Sequence, residues 1–296
     1  SIELDLTVFD TENFRPIKGS IVVENLKEPD KKYQGKMVND GIYAISLPIG
    51  HEYMVKGTSV GFDDNQFNFN LTGDVIFSRF ERSLALTPVR RVFEIVIADA
   101  ETQEGVAAEV LITNLNREEV IIFSAQDIKD GKITAMLREG DQYEFTVRGA
   151  QGYSFFNQVV DLQTQETSEI KAELVSLRAA TSIRLNNINF NTNSAELSSE
   201  SFPELNRVVQ LIFDNPNIII EIAAHTDNVG SASLNKLLSD RRAQSVVSYL
   251  LDNGVPQERI VAKGYGLTSP MVPNTSEENR ALNRRVEFKI LDVLEN

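Results

Sequence analysis

IIIEIAAHTDNVGSASLNKLLSDRRAQSVVSY, residues Ile218 to Tyr249, reads as a buried strand, a polar loop and a long helix. The apolar run Ile218 to Ala224, interrupted by Glu221, suits a strand covered on both faces. Asn215-Pro216-Asn217 punctuates its start, and His225-Thr226-Asp227-Asn228 follows its end. The helix is predicted to begin near Leu234 with Ser233 as N-cap and to stop at Gly254, with Pro256 just beyond.

Spaced at about 100° per residue, the helix puts Lys236, Asp240, Arg241, Gln244, Ser248 and Asp252 on one solvated arc. Asn235, Ser239, Arg242, Ala243, Val246, Tyr249 and Leu250 share the opposite one. Arg242 therefore sits among apolar neighbours while Arg241 points to water; Leu237, on the polar arc, breaks the pattern. A guanidinium cannot be neutralised, so on an inward face it needs an anionic or hydrogen-bonding partner. From the helix alone, the plainer reading is an internal salt bridge or a snorkelling side chain.

The motifs H225TDNVG, N235xxLS239xxRA243xxVxxYL, F190NTNSAEL and N283RRVEF together resemble the OmpA-like peptidoglycan-binding domain. That family includes the periplasmic domain of OmpA, the Pal lipoproteins and the flagellar stator B subunit. The resemblance covers roughly residues 183–291. Ala224 departs from it, because the family more often has Gly before His-Thr-Asp. The resemblance implies a non-enzymatic wall anchor whose ligand is the peptide stem of peptidoglycan, in particular meso-diaminopimelate. It implies that Asp227 accepts from the ligand ammonium and that Arg242 grips the carboxylate through a planar fork. Asn191, Asn193, Thr226 and Asn235 would add neutral hydrogen bonds, and Leu234 would pack on the aliphatic part of the stem. Asp227 also suits an Asx turn, and Asn235 and Ser239 also suit bracing roles. His225 reads as a packed neutral histidine, and Arg284 and Arg285 as salt-bridge partners within the sheet or contacts to the ligand.

Ahead of this domain the chain repeats itself with a period of about 90 residues. V8FDTEN and P16IKGSIVVEN25 answer V96IADAETQEGVAAEVLITN114, and N39DGIYAISLPIGHEY53 answers K129DGKITAMLREGDQY143. Short β-rich segments punctuated by Asp-Gly and Gly predict a small antiparallel sandwich, built twice. These units resemble carboxypeptidase-regulatory-like or transthyretin-like modules. The expected architecture is two tandem antiparallel β-sandwiches, residues 1–90 and 91–179, followed by an α+β domain over 180–296. Its βαβαββ order implies a mixed sheet with helices on one side. Residues 178–182, without a Pro or Gly run, predict a third domain that is held rather than freely tethered. An eight-stranded membrane barrel, as OmpA places ahead of the same domain, fits poorly. Glu24, Lys27, Glu28, Glu94, Arg117, Glu118 and Glu144 interrupt the apolar faces it would need, and Trp is absent.

The net charge of −14 disfavours nucleic acid and anionic membranes as partners. No run of about 18 apolar residues reads as a transmembrane helix, and a cleaved signal ahead of Ser1 is compatible with the sequence. With no Cys and only His51 and His225, thiol chemistry and the usual zinc sets are excluded. Nucleophile-elbow, Walker and dinucleotide glycine motifs are absent, so neither an enzyme nor a cofactor is expected. The expected location is the periplasm or outer membrane of a Gram-negative envelope. The competing expectation is an envelope scaffold or secretion-system accessory, of the type IX kind, whose sandwiches dock a protein partner.

Overall fold

A computed structural model describes residues 1–191 and 194–294, and the chain divides into two compact units. The first comprises Ser1–Val96, Val110–Thr146 and Asn157–Lys171; the second comprises Ile97–Glu109, Val147–Phe156 and the chain from Ala172 onward.

The N-terminal region is β-rich throughout. Its first repeat runs β1 (Ile2–Asp10), β2 (Ser20–Asn25), β3 (Glu28–Gln34), β4 (Lys36–Asn39), β5 (Ile42–Leu47), β6 (Glu52–Thr58), β7 (Asn65–Asn70) and β8 (Arg79–Leu86). The sheets are ordered β4-β5-β1-β8 and β3-β2-β6-β7. Alternation builds them: β1 turns Ile2, Leu4, Leu6 and Val8 inward, where they meet Ile21, Val23, Tyr53 and Val55 of the other sheet in one core. β1 pairs parallel with β8, whereas it pairs antiparallel with β5. The second repeat runs β9 (Arg90–Asp99), β10 (Ala108–Asn114), β11 (Glu119–Phe123), β12 (Lys132–Arg138), β13 (Gln142–Gly149), β14 (Phe155–Asp161) and β15 (Glu169–Leu174). Its sheets, β12-β9-β15 and β11-β10-β13-β14, repeat the order of the first without β4. Phe93 stacks on Phe145 at 5.0 Å, joining one sheet to the other. The Asp-Gly turns recur as well. Gly41 and Gly131 both take a left-handed backbone, φ 69° and 71°, which a side chain would strain.

Within the first unit, fully buried Asp10 accepts from Arg138 Nη1 at 2.7 Å and from Arg117 Nη1 at 3.4 Å. Arg90 donates to both oxygens of Glu12 at 2.9 Å, and Arg138 reaches Glu12 too. Burial by itself would raise the Asp10 pKa. The Arg138 hydrogen bond, the Glu12 backbone N–H and the charges of Arg138 and Arg117 outweigh it, so the carboxyl stays below the ordinary range.

The second unit holds the C-terminal domain. Its sheet has β16 (Ser182–Leu185), β17 (Ile218–His225), β18 (Ile260–Gly266) and β19 (Val286–Val293) in the order β16-β19-β17-β18. β17 runs parallel to β18 and antiparallel to β19, so the sheet is mixed. Helices α1 (Phe202–Asp214) and α2 (Ala232–Asp252) share one face with it. Leu205, Val208 and Ile212 of α1 and Ala243, Val246 and Leu250 of α2 join Ile218, Ile220, Ile222 and Ala224 in a single core. The alternate residues of β17 lie on the other face, which is polar. There Glu221 accepts from Tyr265 Oη at 2.7 Å, and Lys289 Nζ sits 4.0 Å from the Tyr265 ring centroid. The link at 178–182 is held: Ala180 N–H donates to Ile290 O, and Ile290 N–H to Thr181 O. Gly152 N–H donates to Asn215 Oδ1 at 2.6 Å, and Leu177 joins the domain core.

Several boundaries differ from the sequence reading. The first strand, expected over Ile183 to Phe190, ends at Leu185, because Asn187 adopts φ 58° and turns the chain. Phe190 keeps only a bridge to Leu197. Helix α2 begins at Ala232, since Ser231 rather than Ser233 is extended and accepts the Leu234 N–H. The loop after Gly264 contains a short helix, α3 (Glu277–Asn283), capped by Ser276, with Glu277 and Glu278 in the turn where the dipole favours them. In β19 even Glu287 is buried, paired with Arg285.

Replacing Arg138 with Ala should destabilise the first unit by about 3 kcal/mol in urea unfolding, the low end for breaking a buried pair because Arg117 remains. Asp10 has a depressed folded pKa, so its contribution is present above the unfolded value and lost as pH falls through the folded one. Asp10→Asn should flatten that acid limb of the stability profile.

Candidate functional site

The polar loop between β17 and α2 is knitted by its own side chains. Thr226 N–H donates to Gly266 O at 2.9 Å, and its hydroxyl donates to Asp227 O at 3.0 Å. Asp227 Oδ1 accepts from Val229 N–H at 2.9 Å, an Asx-type closure. Asn235 Nδ2 donates to Val229 O at 2.9 Å, fastening the loop to the first turn of α2. Ser239 Oγ accepts from Gly266 N–H at 2.8 Å. Gly264 lies so close beneath α2 that a Cβ there would collide with the Asp240 nitrogen and Ser239 Oγ, so α2 seats on β18 through a bare backbone.

Around this frame the charges are distributed unevenly. Asp227 Oδ2 accepts from Arg284 Nη1 at 2.7 Å, and Arg284 Nη2 also donates to Glu277 Oε1 at 2.7 Å. Arg242 is different. Its Cζ lies 4.8 Å from the Phe190 ring centroid and its Nε donates to Ser194 O at 3.0 Å, yet no carboxylate among the described residues pairs with it. Burial lowers its pKa, repulsion from Arg284 lowers it further, and attraction by Asp227 opposes both. Arg242, Arg284, Phe190, Asn189 and His225 line one cavity of about 190 Å³. A partly buried, uncompensated guanidinium at a cavity wall is suited to an anionic oxygen.

The anticipated residues separate into groups. Thr226, Asp227 and Asn235 are buried in the loop frame, Thr226 and Asn235 as braces, and Arg242 stands at the cavity. Leu234 is 66 % exposed at the start of α2. Asn191 is turned to its own loop, with its Nδ2 donating to Glu196 Oε2 at 3.3 Å. Asn193 lies outside the described residues.

Residues 189–284 match the family model described as "OmpA family". These residues form an OmpA-family domain. "Outer membrane porin F" of Pseudomonas fluorescens is 34 % identical over 103 residues, covering 35 % of this chain and 32 % of that protein. "Probable lipoprotein YiaD" of Escherichia coli is 35 % identical over 105 residues, 36 % of this chain and 48 % of its own. "Peptidoglycan-binding protein ArfA" of Mycobacterium tuberculosis is 37 % identical over 103 residues, 35 % and 32 % of the two chains. The chain thus spans less than half the length of each of these relatives. Among solved structures, the cell wall anchor of the T6SS from Pseudomonas aeruginosa is 32 % identical, covering 38 % of this chain and 80 % of that one with a TM-score of 0.34.

The OmpA-family domain also engages residues that sequence reasoning had left open. In N283RR, Asn283 is fully buried and accepts from Met271 and Val272 N–H, bracing the preceding loop. Arg284 meets Asp227 and Glu277 rather than the sheet, while Arg285, just ahead of β19, donates from Nε to Glu287 of that strand at 2.5 Å. His225 is buried and stacks on Tyr265 at 5.0 Å. Burial, reinforced by Arg285 and opposed by Glu287, drops its pKa to about 4.

A histidine whose folded pKa lies below the unfolded 6.5 stabilises fully above that value and progressively less as pH falls towards 4. Urea titrations should therefore show stability falling by up to roughly 3 kcal/mol over that window. The loss from pH 6.5 to 4.5 should disappear in His225→Gln.

Proposed function

We propose that the OmpA-family domain tethers the protein to the cell wall non-covalently, by holding the diaminopimelate of a peptidoglycan stem between Asp227 and Arg242. The observation that carries the reading is the guanidinium of Arg242, inward, beside a cavity, and without a carboxylate among the described residues. A zwitterionic head group would supply that carboxylate, while its ammonium would share Asp227 with Arg284. Leu234, exposed beside the loop, suits the aliphatic part of the stem. The name of one relative, "Peptidoglycan-binding protein ArfA", supports this reading, under which the protein is located in the periplasm or at the outer membrane of a Gram-negative cell. The protein then acts as an anchor and not as an enzyme. The β-rich segments 1–90 and 91–179 serve as spacer or docking modules for the anchor at 180–296.

Sedimentation with purified diaminopimelate-type sacculi tests the site. Arg242→Ala should weaken binding on the order of 10- to 100-fold, the range for losing a hydrogen-bonded charge contact. Asp227→Asn, which keeps an oxygen for the Val229 N–H, should weaken it comparably without unfolding the domain. Wild-type binding by both folded variants would refute the site.

A second reading, in which the sandwiches dock an envelope protein, draws on one loop of the first repeat. There Ile76 is 87 % exposed and Phe77 68 % exposed, side by side. Adjacent large apolar side chains in water favour a partner. Under this reading, a defined envelope complex co-purifies with the Arg242→Ala protein and is lost from an Ile76→Ser/Phe77→Ser double variant. Retention by the double variant would dismiss that loop as the contact.

A further inference from the structure

The two sandwiches share a strand order but not the treatment of one edge. β3 and β11 hold the same place, outermost beside β2 and β10. β3 carries Glu28, Pro29, Asp30, Lys31 and Lys32, and charges with a proline are what keep a foreign strand from adding to an edge. β11 lacks that guard: after Glu119 it reads Val120, Ile121, Ile122, Phe123. In its antiparallel pairing with β10, Ile121 and Phe123 lie opposite the buried Ile112 and Val110, so Val120 and Ile122 stand on the outer face. Val120 is 52 % exposed and Ile122 61 %, and even Ile121 on the inner side is 38 % exposed. Among the described residues, no backbone hydrogen bond from β11 goes beyond β10. At its start, Glu118 and Glu119 form no ion pair among those residues.

We propose that β11 is the docking edge of the second sandwich, and that its occupant is an extended segment of a partner protein, added antiparallel as a fifth strand. The free main-chain groups supply the affinity, and the side chains set the sequence that fits. That segment is apolar on both faces over about four residues, to match Val120 to Phe123. Antiparallel addition brings its C-terminal end to Glu118 and Glu119, where a basic side chain completes the charges. A second copy of this chain fits less well. Five-residue strands pairing across a two-fold axis would bury roughly a few hundred Å², short of the ~1,200 Å² of a stable interface. Such a pair would also bring no cation to either glutamate. The proposal deepens the docking reading with a surface other than the Ile76–Phe77 loop, and it leaves the wall site untouched.

The probe is a synthetic peptide, AEVLITNKK: the sequence of β10, which pairs with β11 in this fold, extended by two lysines to face the glutamates. Titrated into the full chain, it should shift the backbone amide signals of β11 saturably and slow hydrogen exchange of the amides that point away from β10. A peptide with proline at alternate positions should do neither, because it lacks the donors. One ending in two glutamates should bind roughly threefold more weakly. Ile122→Lys, at an exposed position, should abolish the response, whereas Ile76→Ser/Phe77→Ser should leave it intact, so the edge and the loop are judged separately. The wild-type amide signals decide the matter even if a variant folds poorly. If β11 stays silent up to millimolar peptide, or the proline peptide shifts it equally, the proposal falls. It falls as well if sedimentation shows a dimer that Ile122→Lys dissociates, because a second copy then occupies the edge.

Discussion

The C-terminal domain carries a positive charge that its own described residues do not neutralise. Arg242 leaves α2 on the side that packs inward, where a guanidinium can neither lose its proton nor regain full hydration. The fold makes this tolerable by small means: the face of Phe190, one backbone carbonyl from Ser194, and the more distant field of Asp227. None of these equals a carboxylate in hydrogen-bonding contact. An uncompensated guanidinium of this kind costs stability, and on the proposed reading a ligand carboxylate would remove that cost.

The neighbouring anion is arranged in the opposite way. Asp227 has one oxygen committed to the Val229 amide and the other to Arg284. A zwitterion entering the cavity would therefore meet an unpaired cation and a paired anion. Its carboxylate gains a partner outright, whereas its ammonium must share Asp227 with a guanidinium that is 39 % exposed and holds Glu277 in reserve. The pair is close to the surface, so Arg284 can loosen at little cost. On the proposed reading most of the binding energy comes from the carboxylate end, and the ammonium end contributes selectivity.

Much of this fold was readable from residue order, because its signals are local and periodic. Ile218, Ile220, Ile222 and Ala224 enter the core, although the other face of their strand is polar rather than covered as the apolar run suggested, and α2 buries Asn235, Ser239, Ala243, Val246 and Leu250 on one arc. The two sandwiches were visible as a repeat, and the same strand order in both expresses it. What escaped was decided by contacts distant in sequence. Nothing near Arg284 announces that its partner is Asp227, 57 residues away, nor does Glu287 advertise that Arg285 and Ser182 will bury it. Helix α3 was missed because two prolines and a glycine in its loop outweighed the cap at Ser276. Arg242 stood out for a different reason: a charge on an apolar arc violates the local rule, and that violation is what the proposed site rests on.

The energetics of one such grip bear on what it can be used for. Two or three charge-assisted hydrogen bonds contribute about 1.5–3 kcal/mol each, while association costs several kcal/mol of lost translational and rotational freedom. A single stem would accordingly be held weakly and released quickly. Weak contacts suit an anchor if the wall presents the same group many times, because a released site finds the next stem at high local concentration. They suit it better still if the anchor does not swing freely. Here the link into the domain is pinned by Ala180 and Thr181 to Ile290, and Asn215 fastens the domain to Gly152. On the proposed reading such a domain would carry load through backbone and buried side chains, with only the stem contact breaking and reforming.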